Sequence, residues 1–180
     1  KKTLKCIVAA ALCFACFAMC AFAADSTSLA DDLKEIGMFK GTNEGYELDR
    51  APTRVEAAVM LVRMLGKEEA AEDQLAKGEI SHPFTDVDKW ADSYIAYLYT
   101  NKLTNGISAD RFGAGSACSE QMYSTFVLRT LGYSDAAGGD FAYEDAVSFA
   151  YSLGLNDGVL SIGTFARGDL AALTYQALAT

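Results

Sequence analysis

The chain repeats itself, and a repeat too short to bury its own apolar surface restricts the fold more tightly than any composition does. Val59-Met60-Leu61-Val62-Arg63-Met64-Leu65-Gly66 and Thr125-Phe126-Val127-Leu128-Arg129-Thr130-Leu131-Gly132 end alike at an offset of 66 residues. The same offset sets Thr53 on Ser119, both good helix N-caps. A third, more diverged copy runs from Arg167-Gly168-Asp169-Leu170 to Leu178. Upstream of each copy, apolar residues recur at helical intervals: Leu29, Leu33 and Ile36; then Ala91, Tyr94, Ile95 and Leu98; then Val147, Ala150 and Tyr151. Glycine pairs close two of these segments, Gly37 with Gly41 and Gly154 with Gly158, while Lys102 stands at the first position of the middle pair before Gly106. Gly37 and Gly154 read as left-handed C-caps. Each unit is thus helix, glycine-rich loop, helix, and the fold class is all-α.

The second helix of the first copy carries Val55, Ala58, Val59, Leu61, Val62 and Leu65 on more than one face. Such a helix must be surrounded. Three of them are expected to pack as a central three-helix core with the first helices outside, the whole folding as one domain. The units are placed at 28–66, 82–133 and 140–180, with an acidic, solvated spacer at 67–81 that has room for a short helix.

The N-terminus is of another kind. Lys1, Lys2 and Lys5 precede an uncharged run from Cys6 to Phe22, and Ala21-Phe22-Ala23 forms a small-residue cleavage site, so residues 1–23 read as a secretory signal peptide. The alternatives are an uncleaved membrane anchor and lipidation at Cys20, against which Met19 stands. The numbering is expected to begin after an initiator Met. Beyond Thr180 the sequence is compatible both with a native end and with a cargo domain. Cleavage leaves 12 basic residues against 24 acidic ones, a net charge of −12. That balance argues against nucleic acid, which needs clustered cations, and against an anionic membrane surface.

Cys118 is the one cysteine beyond the predicted signal, after Cys6, Cys13, Cys16 and Cys20, and is expected as a small buried hydrophobe. The single histidine, His82, precedes Pro83 and is expected in an exposed loop. There is no disulfide framework, metal spacing, nucleophile elbow, Cys–His pair or phosphate loop. Acidic residues abound, but none pairs recognisably with a positioning partner. Neither catalysis nor a cofactor or metal is expected.

Phe84-Thr85-Asp86-Val87, Trp90-Ala91 and Tyr94-Ile95, followed by Asn105-Gly106-Ile107 and Asp110-Arg111-Phe112, resemble the opening and first loop of the S-layer homology family. Thr53-Arg54-Val55-Glu56 resembles its T-R-A-E signature, and Arg167-Gly168-Asp169 stands at that place in the third copy. The resemblance spans roughly residues 28 to 180. It implies a pseudo-threefold bundle that binds secondary cell-wall polymers, often pyruvylated amino sugars, in grooves between repeats, with S-layer or other envelope proteins as further partners. It also implies glycan-binding roles for Arg54 and Arg167, for loop glycines Gly41, Gly106 and Gly158, and for Asp86 and Trp90. The first copy lacks the aromatic opening, and its groove is expected to be incomplete.

Thr53 and Glu56 are explained without a ligand, as a capping box. Arg54 is not. At the first helical position the helix dipole opposes a cation by about 0.3–1 kcal/mol, while free N–H groups there attract an anion. A guanidinium beside them makes a carboxylate site. Arg54→Glu is therefore expected to abolish binding and leave folding nearly intact. Glu120 occupies the equivalent position of the middle copy and is expected to silence its groove; Glu120→Arg is the matching gain-of-site test. Trp90 is expected to pack the first helix onto the bundle, with sugar stacking as the alternative. Asp86 suits a turn or N-cap as well as a groove. The rival function is a structural or protein-binding surface module with degenerate glycan grooves.

Overall fold

The computed structural model describes residues 26–155 and 164–179. The predicted signal peptide, with Cys6, Cys13, Cys16 and Cys20, lies outside them, as do Gly158 and Thr180. Among the described residues the protein is all-α. The helices are α1 (Ser26–Glu35), α2 (Arg54–Met64), α3 (Glu68–Ala76), α4 (Asp92–Thr100), α5 (Glu120–Thr130), α6 (Ala146–Ser152) and α7 (Arg167–Ala179). Single 3₁₀ turns, Lys89–Ala91 and Tyr143–Asp145, lead into α4 and α6.

The stops of α1, α4 and α6 share one geometry. Gly37 donates its N–H to Lys34 O (2.9 Å) and Met38 to Leu33 O (2.8 Å); Gly154 and Leu155 repeat this onto Tyr151 and Ala150. These paired bonds satisfy the last carbonyls of a helix and require a left-handed residue. Gly37 and Gly154 supply it at φ 78° and 77°. In the middle segment Lys102 takes the same conformation at φ 60°, with Lys102 N–H on Tyr99 O and Leu103 N–H on Leu98 O. The backbone shape is therefore reached here without a glycine.

Helices α2, α5 and α7 touch one another pairwise. In each, consecutive residues are buried: 57–62 in α2, 123–128 in α5 and 167–174 in α7. Only a helix covered on all sides buries such a run. The cover comes from a distance in sequence. Helix α1 lies on α7, α4 on α2 and α6 on α5, so an outer helix packs chiefly on an inner helix other than the one that follows it. The spacer holds the short helix α3, but it is not simply solvated. It packs along α4, with Ala71 fully buried and Glu68 accepting from Lys40, Arg63 and the Tyr94 hydroxyl.

Inner-helix starts dock on loops in a fixed register. Arg54 and Val55 donate their N–H groups to Ser116 O (2.8 Å) and Ala114 O (3.2 Å); Arg167 and Gly168 donate theirs to Arg50 O and Leu48 O, both 2.9 Å. Ser116 and Ala114 stand 66 residues after Arg50 and Leu48, the offset of the sequence repeat. Thr53 and Glu56 form the predicted capping box on α2, Ser119 caps α5 through Met122 N–H, and Asp169 accepts from Ala166 N–H on α7. Cys118 is buried as expected, and burial pushes its thiol up to about 12. His82 departs from its expectation of an exposed loop. Its ring stacks on Phe84 and lies 3.3 Å from Asp92, because Phe84 N–H donates to Nδ1 and folds the imidazole inward.

Candidate functional site

Two clefts of the same plan lie at the inner-helix starts. The first, about 240 Å³, is lined by Arg54, the loop residues Asn105, Gly106 and Ile107, the α5 residues Met122, Thr125, Phe126 and Arg129, and Tyr143. The second, about 310 Å³, has Arg167, the loop 38–42, Glu56, Val59, Met60 and Arg63 of α2, and Trp90. The helix residues correspond pairwise at the 66-residue offset: Glu56 with Met122, Val59 with Thr125, Met60 with Phe126, Arg63 with Arg129. The loops correspond too, Lys40 and Gly41 with Asn105 and Gly106, and a 3₁₀ turn supplies the aromatic wall in each. Two near-equivalent clefts thus differ in a few side chains.

Arg54 is only 8% exposed. Its guanidinium lies between the rings of Phe112 and Phe126, 4.9 Å from each centroid. Its hydrogen bond is long, Nη2 to Thr104 Oγ1 at 3.5 Å, and among the described residues its buried Nε has no partner. Burial holds its pKa below the ordinary arginine value, and among the described residues no carboxylate acts on it. Cation–π contacts return about 0.5–2 kcal/mol each, less than the several kcal/mol that desolvating an ion costs. The guanidinium therefore has unused capacity for an anion.

The helix start itself does not. The N–H groups of Arg54, Val55 and Glu56 are taken by Ser116 O, Ala114 O and Thr53 Oγ1. The expectation that free N–H groups help hold an anion is corrected: the docking register consumes them, and the side chain alone offers donors. The tolerance expected of Arg54→Glu changes with it. A shorter, unpaired carboxylate would be buried between two rings, so folding would suffer as well.

Arg167 is 5% exposed and, unlike Arg54, has a carboxylate partner. Its Nη1 donates to Glu56 Oε1 at 2.7 Å, its Nε to Tyr46 O at 2.9 Å, and its plane covers Phe39 at 4.9 Å. Glu56 also takes Arg50 and the Thr53 N–H. Burial alone would raise this carboxyl; its donors overcome that and hold it at about 2. It is ionised at any ordinary pH.

The remaining predicted residues divide between the clefts. Gly106 belongs with Arg54, and Gly41 and Trp90 with Arg167. A Cβ on Gly106 would stand 2.4 Å from Phe84 and 2.7 Å from Arg111 O, so this glycine is forced by close approach as well as by its φ of +71°. Trp90 is 58% exposed, contrary to the packing expectation; its short 3₁₀ turn projects the indole outward while Ala91 makes the buried contact. Asp86 lines neither cleft. Its carboxylate accepts the N–H groups of Phe112, Gly113 and Ala114 and so shapes the loop that carries Phe112 beneath Arg54. Sequence reasoning missed Phe126, Met122 and Arg129, although the 66-residue offset sets them opposite the α2 residues of the other cleft.

The family profile of the S-layer homology domain matches residues 83–119. A "Cell surface protein" of Thermoanaerobacter kivui is 34% identical over 137 residues, covering 74% of this chain and 17% of that protein. The chain therefore carries an S-layer homology domain at 83–119, and it spans about a sixth of the curated relative it matches. Domains of this family act at the cell surface by binding cell-wall polymers in general. No helix among the described residues is long and apolar enough to cross a membrane.

Proposed function

We propose that the chain is a secreted, non-catalytic anchor that holds a protein to the cell wall through a secondary wall polymer, an acidic sugar substituent docking on Arg54. The observation that carries this reading is the buried guanidinium of Arg54, flanked by aromatic rings, open to a cleft and lacking a carboxylate partner among the described residues. A pyruvyl ketal has the needed chemistry: a compact carboxylate on an otherwise neutral ring. Charge-assisted hydrogen bonds to such a group contribute about 1.5–3 kcal/mol each. The repeated docking register and the cross-packing of outer on inner helices support three repeats, 28–66, 82–133 and 140–180, in a pseudo-threefold bundle.

The test is co-sedimentation with purified walls before and after extraction of secondary polymer. Anchoring predicts that binding disappears with the polymer. Persistent binding to stripped walls would favour a protein-binding or structural module, a reading that the internally neutralised Arg167 supports at its own cleft. Incubation with walls and assay of released sugars tests the absence of catalysis.

A further inference from the structure

The third residue of the helix facing each arginine differs between the clefts, and this difference assigns them different roles. In the Arg167 cleft the residue is Glu56, whose Oε1 lies 2.7 Å from Arg167 Nη1. In the Arg54 cleft the corresponding residue is Met122, half-buried and lining the cavity, and a thioether offers no charge. We propose that this position decides whether a cleft accepts an external carboxylate: Glu56 is a built-in anion that closes the Arg167 cleft, and Met122 leaves the Arg54 cleft open. The inference rests on the anchoring reading for its ligand but not for its physics.

Three further features fit. Glu56 is held from the other side by Arg50 and by the Thr53 N–H, so an incoming carboxylate would have to displace a hydrogen-bonded, preorganised competitor. The second arginine of each cleft already has a carboxylate partner: Arg63 has Glu68 and Arg129 has Asp135. Lys40 shares Glu68 with Arg63, so among the described residues Arg54 is the cation lining either cleft for which no ion pair is found. Of the two clefts, one takes the acidic group; the other fastens α7 to α2 and to the loop carrying Tyr46.

Met122→Glu copies the closure into the open cleft. The site favours it structurally, because Ser119 is the N-cap of α5 and an acid three residues later completes a capping box. Met122→Gln is the uncharged reference of the same length. The probe is a methyl glycoside bearing a pyruvyl ketal, titrated calorimetrically. The expected result is about one equivalent bound by the unmodified chain, and binding by Met122→Glu weaker than by Met122→Gln by about tenfold or more. Equal affinities of the two variants would overturn the proposal. Thermal unfolding gives a readout free of ligand: Met122→Glu should melt above Met122→Gln, and the difference should shrink in an Arg54→Met background. If the unmodified chain ignores the probe yet the melting difference behaves so, the glycan reading fails and the closure stands. If the melting difference is unchanged in the Arg54→Met background, Arg54 does not pair at that position and the closure fails.

Discussion

The Arg54 and Arg167 clefts have the same parts but pair their signature arginines differently. Both place an arginine at the first position of an inner helix, bury it over aromatic rings and face it with a glycine loop. One arginine is satisfied by Glu56 and Tyr46 O; the other keeps a buried Nε without a partner. The difference teaches that a signature arginine does not by itself mark a binding site. On the proposed reading, what the neighbouring helix offers to its guanidinium decides between a structural clasp and an anion receptor.

The comparison breaks most decisively at the two arginines. Arg54→Met should abolish co-sedimentation with polymer-bearing walls while leaving stability level or raised, since it removes a desolvated charge without a counter-ion and keeps the apolar stem. Loss of folding in that variant, seen by circular dichroism, would mean that Arg54 is structural after all. Arg167→Met should do the reverse, costing about 2–3 kcal/mol in denaturant unfolding because a buried pair is broken, with Arg50 still neutralising Glu56.

The glycines sharpen the same contrast. Gly106→Ala should cost about 2 kcal/mol or more, since left-handed strain adds to a clash with Arg111 O and Phe84. Gly41→Ala, whose Cβ would meet Gly45 O at 3.1 Å, should cost about 1 kcal/mol from strain. Near-equal losses on chemical denaturation would mean that the two loops are equally tight.

A smaller effect appears on titration. The folded Glu56 carboxyl sits at about 2, below its ordinary value of 4.5. A depressed carboxyl stabilises the fold above its unfolded pKa, so stability should hold above about pH 5 and fall by about 2–3 kcal/mol as the pH drops toward 2. Glu56→Gln should flatten that part of the pH profile. Arg54 contributes no such limb, because its cation stays charged throughout.

Much of the bundle was legible because it is local. The glycine stops and the Thr53–Glu56 box are written within a few residues, helix geometry follows from them directly, and the 66-residue offset repeats the pattern. Lys102, at a glycine's place, takes the left-handed shape that was predicted only for Gly37 and Gly154. The domain match at 83–119 falls where the aromatic opening lies closest to the family pattern.

What sequence alone determined was therefore the helical repeat, the caps, and the presence of an arginine at two inner-helix starts. Tertiary structure decided the rest. It laid α1 on α7 and α4 on α2, spent the helix-start N–H groups on loop carbonyls, turned Trp90 outward and Asp86 inward, and set Glu56 against Arg167 but Met122 beside Arg54. The reason is one of range. Caps and helical periodicity act within a few residues, whereas whether a buried cation is neutralised depends on which side chain a separate segment, 111 residues away for Arg167 and Glu56, brings within hydrogen-bonding distance.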